Sequence, residues 1–345
     1  MLASSAGGKL SGHGRTTMQF FARLAAATAA LVIFFSTMAF AETVRVGVLK
    51  FGTVNWELSA LKTHKLDDEH GFDLEIVPFA SEDATTVALQ GGAVDIIVSD
   101  WLWVSRQRAL GGDLAFAPYS SSVGAIMIPP DSPMQSLADL KGKKLGVAGG
   151  PLDKSWLLLQ GWAKRDFGID LAAENDIAYG APPLLAEKAQ QGELDAVLNF
   201  WHFAARLEAA GFRRLASAEQ AAQALGAKGA VSAIGYIFSE KWADEHPQAA
   251  KGFLAASRDT KGILKTDDAE WDRLQAAGVI KDEGAALLAL RDRYREGIPS
   301  RQIADEEEDA AHLYAVLAEL GGEKLVGESP TMQPGTYWTK LKNGF

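Results

Sequence analysis

From residue 42 onward, short apolar β-rich runs alternate with longer stretches of helical spacing. VRVGVL (Val44–Leu49) is an unbroken apolar run and predicts a buried strand, and WELSALKTHKL after it gathers its apolar positions on one helical face. DLEIVPF (Asp73–Phe79) alternates as a strand and leads into a helix from about Glu82 to Gln90. DIIVS predicts another buried strand, with a helix opening near Trp101. The same order then restarts with KLGVA (Lys144–Ala148), the helix WLLLQGWAKRDFG, NDIAYG, the helix PPLLAEKAQQG, DAVLN and the helix WHFAARLEAAG. Strands alternating with helices predict βαβ units, hence an α/β fold with mostly parallel sheets covered on both faces.

The restart is visible residue by residue. QGGAVDIIVSDWLWVSRQRALG from Gln90 and QQGELDAVLNFWHFAARLEAAG from Gln190 align Gly92 with Gly192, Asp95 with Asp195, Trp101 with Trp201, Arg106 with Arg206 and Gly111 with Gly211. Two copies make a pair of similar lobes rather than a solenoid. Between them VGAIMI is a strand stopped by Pro129 and Pro130, since proline cannot continue a ladder. Ser136 is placed to cap a short helix over LADLKG. VSAIGYIFS (Val231–Ser239) runs back after the second copy, so two crossovers, about Ala125–Ile128 and Ala233–Ile237, form a hinge. This divides the chain into lobe one (42–124 and 238–345) and lobe two (125–237). Helical patterns dominate after Glu240 and are expected mainly on lobe one. Pro247 lies near one helix start, and ADEEEDAAH reads as the solvated, acidic start of another.

Composition narrows the function. The chain has 345 residues, 48% hydrophobic and 23% charged, which suits a folded two-lobed protein with a large core. A net charge of −10 and no cluster of basic residues exclude nucleic acid as a partner. With no cysteine, disulfides, thiolate nucleophiles and zinc–thiolate sites are excluded. MQFFARLAAATAALVIFFSTMAFAETV has the basic start, apolar core and Ala39-Phe40-Ala41 ending of a secretory leader. Cleavage is expected after Ala41 (segment 1–41 removed, with Met18 as an alternative start), releasing a periplasmic protein.

Enzyme chemistry finds little support. His64, His70, His246 and His312 lie in polar helices, and His202 alone sits at a strand end. No strand–G-x-S-x-G–helix context and no phosphate-loop pattern is present, and no cofactor or metal is called for. A binding cleft fits better, because open α/β sheets take ligands outside the carboxyl ends of their strands. That rule selects Asn55, Trp56, Ser81, Glu82, Ser99, Asp100 and Trp101 in lobe one. In lobe two it selects Gly149, Gly150, Ser155, Trp156, Asn199 and Trp201, with Tyr236 as a further wall. Glycines let backbone N–H groups approach a ligand, and free N–H groups at helix starts receive acidic groups. Glu82 and Asp100 with aromatic faces suit an amine instead, and no Lys or Arg is read into these loops. Asp100 has two readings here, helix cap and ligand contact.

SPMQSLADLKGKKLGVAGG resembles the opening of the second lobe of type II periplasmic solute-binding proteins, and FSEKWADEHPQAAKGFLAA resembles their return segment. With GGAVDIIVSD and QGELDAVLNFW, the resemblance is to the nitrate/sulfonate/taurine branch of ABC-importer receptors and covers about Thr43 to Leu264. It implies a monomeric, hinge-closing receptor that delivers a small organic anion or zwitterion to an inner-membrane permease. The alternatives are a thiamine-precursor-like or amine-binding receptor, a sensory module, or a cleft enzyme on the same scaffold. KFGTVNWE stands where thiamine-precursor receptors are expected to carry Asp-Trp-x-Pro-Asn, which counts against that alternative.

Overall fold

Two five-stranded mixed sheets, each flanked by helices, carry the molecule in a computed structural model that describes residues 41–340 together with residues 1, 2, 4 and 7. The apolar core of the expected leader lies outside the described residues. In the first lobe β1 (Glu42–Leu49) leads through α1 (Val54–Thr63) and the short α2 (Leu66–Glu69) to β2 (Phe72–Phe79). Then follow α3 (Glu82–Gln90), β3 (Ile96–Ser99), α4 (Trp101–Ala109) and β4 (Leu114–Ser120). The second lobe runs from β5 (Ala125–Ile128) through a 3-10 turn (Leu137–Leu140) to β6 (Lys144–Ala148), α5 (Lys154–Phe167) and β7 (Asp176–Gly180). It continues with α6 (Pro182–Gln190), β8 (Ala196–Asn199), α7 (Trp201–Ala209), β9 (Arg213–Ser217) and α8 (Ala218–Ala224). β10 (Ile234–Ser239) precedes α9 (Glu240–Glu245), α10 (Pro247–Thr266), α11 (Asp268–Ala276), α12 (Gly284–Glu296), α13 (Ile303–Gly321) and α14 (Glu323–Val326).

The sheets have one topology. Their orders are β2-β1-β3-β10-β4 and β7-β6-β8-β5-β9, with the fourth strand antiparallel to both neighbours in each. The repeated residues explain why. Asp95 accepts the Arg45 backbone N–H at 2.8 Å and Asp195 accepts that of Lys144 at 2.8 Å, so the first stitches β3 to β1 and the second stitches β8 to β6 in the same way. Gly92 and Gly192 end α3 and α6 at φ +70° and +73°, in the left-handed region that a side chain resists. The duplicated stretch therefore specifies a supersecondary unit.

Two expectations change. β10 pairs only within the first sheet, between β3 and β4, so lobe one resumes by Ile234 and not at 238. β4 and β9 were not foreseen: Pro118 interrupts the β4 pattern, tolerated because β4 is an edge strand, and β9 opens with two arginines. The tail covers part of the β4 edge, Phe116 N–H donating to Thr336 and Trp338 N–H to Phe116, both at 2.8 Å.

The last helices do not keep to lobe one. α9 to α11 pack on its core, around Phe253, Leu264 and Trp271. α12 buries Leu287, Leu290 and Tyr294 there while also lying against α7 of lobe two. α13 places Leu313, Tyr314 and Leu317 in a core shared by α4 of lobe one and α5 of lobe two. Amphipathic helices with an apolar face wider than one lobe can cover bridge two.

Candidate functional site

The carboxyl ends of the parallel strands in the two sheets lie on the sides joined by the short crossover 121–124 and by the return into β10. A Cβ at Gly124 would stand 2.8 Å from the Asn199 carbonyl and 3.3 Å from Ser155 Oγ, so the crossover runs tightly against lobe two. Beside it a cavity of about 40 Å³, room for a few waters, is lined by Ser121, Ser122, Trp201, Arg214, Ser217 and Arg293, among others.

Burial corrects much of the expected lining. Trp56, Trp101 and Trp156 are core residues, 5%, 4% and 1% exposed. Trp101 donates its indole N–H to the Ser232 carbonyl at 3.0 Å. Tyr236 is fully buried and is no cleft wall: its hydroxyl donates to Glu57 at 2.8 Å. That buried carboxylate also accepts Ser257 (2.6 Å), Lys261 (2.6 Å) and Tyr294 (3.1 Å), which ties α1, β10, α10 and α12 together. Burial lowers the Lys261 ammonium from its usual value despite its Glu57 partner. Asn55 donates to the Leu49 and Gly52 carbonyls, both at 2.8 Å, closing the turn before α1. Asn199 is also buried, donating to Pro182 and accepting from the Phe200 N–H, both at 2.9 Å. Ser81 caps α3. Indole and amide side chains next to a strand end serve the core as readily as a ligand.

What remains near the interface is Glu82, Ser99, Asp100, Gly149, Gly150, Ser155 and the half-buried Trp201, whose ring meets Trp56 edge-on at 5.9 Å. Gly149 and Gly150 both take left-handed φ, +82° and +84°, in the region that a side chain resists. The helix start beyond them is not free, because Asp153 accepts the Trp156 N–H at 3.0 Å. Asp100 likewise caps α4 through the Trp103 N–H at 2.8 Å. By contrast α1, α6 and α7 begin without a side-chain cap.

Lys154 was missed. It opens α5 of lobe two and reaches 2.7 Å from Asp100 Oδ2 on lobe one. The expectation of no basic residue in these loops is therefore wrong. Burial would raise the Asp100 carboxyl, yet Lys154 and the α4 N–H groups outweigh it and hold it below the usual range. Burial would lower the Lys154 ammonium, and Asp100 more than reverses that. Two further ion pairs join α7 to the α12 region. Arg206 forks onto Asp282 at 2.7 and 2.9 Å, and Arg293 forks onto Glu208 at 2.8 and 2.9 Å. Arg214 adds a contact to Glu208 at 3.1 Å.

Two lobes of one α/β topology, joined by two crossovers and facing each other at their strand ends, define a two-lobed solute-binding-protein fold. The chain belongs to the NMT1/THI5-like family, whose model matches residues 68–266. No curated protein matches its sequence. Among solved structures it is similar to the periplasmic aliphatic sulphonate binding protein SsuA from Escherichia coli, with 20% identity and a TM-score of 0.67 over 86% of this chain and 92% of that one. The alkanesulfonate-binding protein SsuA from Xanthomonas axonopodis pv. citri, bound to MOPS, has 18% identity and a TM-score of 0.61 over 86% and 98%. The desulfurization enzyme DSZB has 12% identity and a TM-score of 0.57 over 86% and 97%. At these identities the likeness is one of fold.

Proposed function

We propose that this protein is the extracytoplasmic solute-binding receptor of an ABC importer, taking a small organic anion or zwitterion between its lobes and presenting it to an inner-membrane permease. The observation that carries this reading is the pair of matched lobes whose strand ends lie on the sides joined by two crossovers. A solute touching both lobes favours the closed form over the open one, whereas a solute touching one lobe does not. The names of the similar SsuA structures supply the sulfonate class. Phe51, Leu152 and Phe200, exposed after β1, β6 and β8, offer apolar surface for a short aliphatic part. The secretory leader pattern supports a periplasmic location.

A thermal-shift screen of aliphatic sulfonates, taurine, nitrate, carboxylates, amines and pyrimidines tests the reading. A true solute at a hundredfold its dissociation constant adds about 2.7 kcal/mol of stability. No shift from any member of the panel counts against it. Because DSZB shows that the fold also hosts an enzyme, the bound solute is recovered and weighed: a receptor returns it unchanged.

A further inference from the structure

Lys154 and Asp100 stand on opposite lobes, 54 residues apart in sequence, and each is the other's ion-pair partner. Neither side chain is used up by its own helix. A cation in the first turn of α5 opposes the helix dipole, so Lys154 gains nothing locally. Asp100 needs one oxygen for its cap: Oδ1 takes the Trp103 N–H while Oδ2 takes Lys154. The two side chains keep 37% and 21% exposure, so the pair is partly in contact with solvent, unlike the sealed Lys261–Glu57 pair at 4% and 0%. Close to Lys154 in the chain the protein also places Gly149 and Gly150, both in the left-handed backbone region that a side chain resists, and the Ser155 hydroxyl.

We infer that Asp100 is a built-in competitor for Lys154, occupying in the closed lobes the cation that an acidic solute group takes when it binds. The inference rests on the solute-binding reading and names within it a residue for each role: Lys154 receives the acid, and Asp100 sets how strong an acid contact must be to displace it. A neutral or cationic solute leaves the pair intact and gains nothing from Lys154. A weakly hydrated, multidentate acid such as a sulfonate replaces the single carboxylate oxygen with several acceptors. Affinity for acids is thereby held below what Lys154 alone provides, which favours release to a downstream partner.

The test is a double-mutant cycle in isothermal titration with two probes, propanesulfonate and inorganic sulfate, on the wild type, Asp100→Asn, Lys154→Gln and the double variant. Asn retains the cap on α4, so folding is preserved, and urea unfolding of each variant checks this. The expected result is about tenfold tighter binding of the acidic probes to Asp100→Asn, about 1.4 kcal/mol. Lys154→Gln binds at least tenfold more weakly than the wild type, and Asp100→Asn has no effect in the Lys154→Gln background. A gain that persists without Lys154 overturns the inference, as does equal affinity in the wild type and Asp100→Asn. Tenfold weaker binding to Asp100→Asn also overturns it, because Asp100 then touches the solute. Failure of both probes to bind Asp100→Asn overturns it too. The receptor reading fails separately, when no solute of the wider panel stabilises the wild type.

Discussion

The two copies of the repeat put the same helix to opposite uses. In lobe one, α4 receives the tail of the chain: Ser105 Oγ accepts the Gln333 N–H at 2.9 Å, and Arg106 and Arg108 donate to the carbonyls of Leu325 and Pro334 at 3.4 and 2.8 Å. In lobe two, α7 receives the α12 region, with Arg206 on Asp282 and Glu208 on Arg293. The first attachment stays within lobe one and is made to backbone; the second crosses between lobes and is made to charged side chains. Backbone carbonyls cannot be neutralised, whereas carboxylates respond to pH and salt. The comparison teaches that the duplicated positions fix a docking rail, and that the partner's chemistry decides whether the attachment is permanent or releasable.

The largest effect that sharpens this contrast is at the shared tryptophan. Trp101→Ala removes a side chain 4% exposed and its bond to Ser232, at an expected cost of about 3–5 kcal/mol in urea unfolding. Trp201→Ala, at the half-buried equivalent, costs about 1–3 kcal/mol. Equal losses would erase the distinction between the helices.

Next is the position after each tryptophan, where Leu102 is replaced in lobe two by His202. Burial, followed by the nearby Arg206 charge, lowers His202 from 6.5 to about 4, and its Nδ1 is buried without a partner. The unfolded chain therefore binds a proton that the folded one refuses. Stability is complete above about pH 6.5 and falls as pH drops towards 4, by up to roughly 3 kcal/mol. His202→Leu, which copies lobe one, removes that slope; urea midpoints at about pH 7 and pH 4.5 measure it. An unchanged slope in the variant would assign the acid response elsewhere.

The smallest expected effect separates the two kinds of attachment. Asp282→Asn weakens the partly exposed Arg206 bridge by about 1 kcal/mol at low salt and by much less at molar salt. Arg106→Gln, which loses one long bond to a carbonyl, costs within about 0.5 kcal/mol at either salt concentration. A matching salt dependence at both sites would contradict the division into fixed and releasable rails.

Most of the fold was legible because the strands that make it are apolar runs bounded by glycine and proline, and because Asp95 and Asp195 recur with their surroundings. The Ser136 cap was legible for the same local reason, and the structure gives it a reciprocal pair with Asp139. β10 was read as a crossover, but nothing in its own residues says which sheet admits it, since an apolar strand fits between any two neighbours. The site was less legible. A tryptophan after a strand has the same sequence signature whether it faces a cleft or the layer of helices behind it. Lys154 lay one position before the expected Ser155, but its partner is on another lobe, and pairing across such a distance leaves no periodic trace.

The place of β10 between β3 and β4 has a kinetic consequence. The first sheet cannot join β4 to its neighbours until the chain has travelled from Ser120 to Ile234 and come back, whereas the second sheet is built entirely from the continuous stretch Ala125–Ser217. Long-range strand insertion closes a large loop before any contact rewards it, so such sheets form late. Pulse-labelled amides of β5 to β9 are therefore expected to gain protection before those of β4 and β10, and the lobe that the chain begins first is the one it completes last.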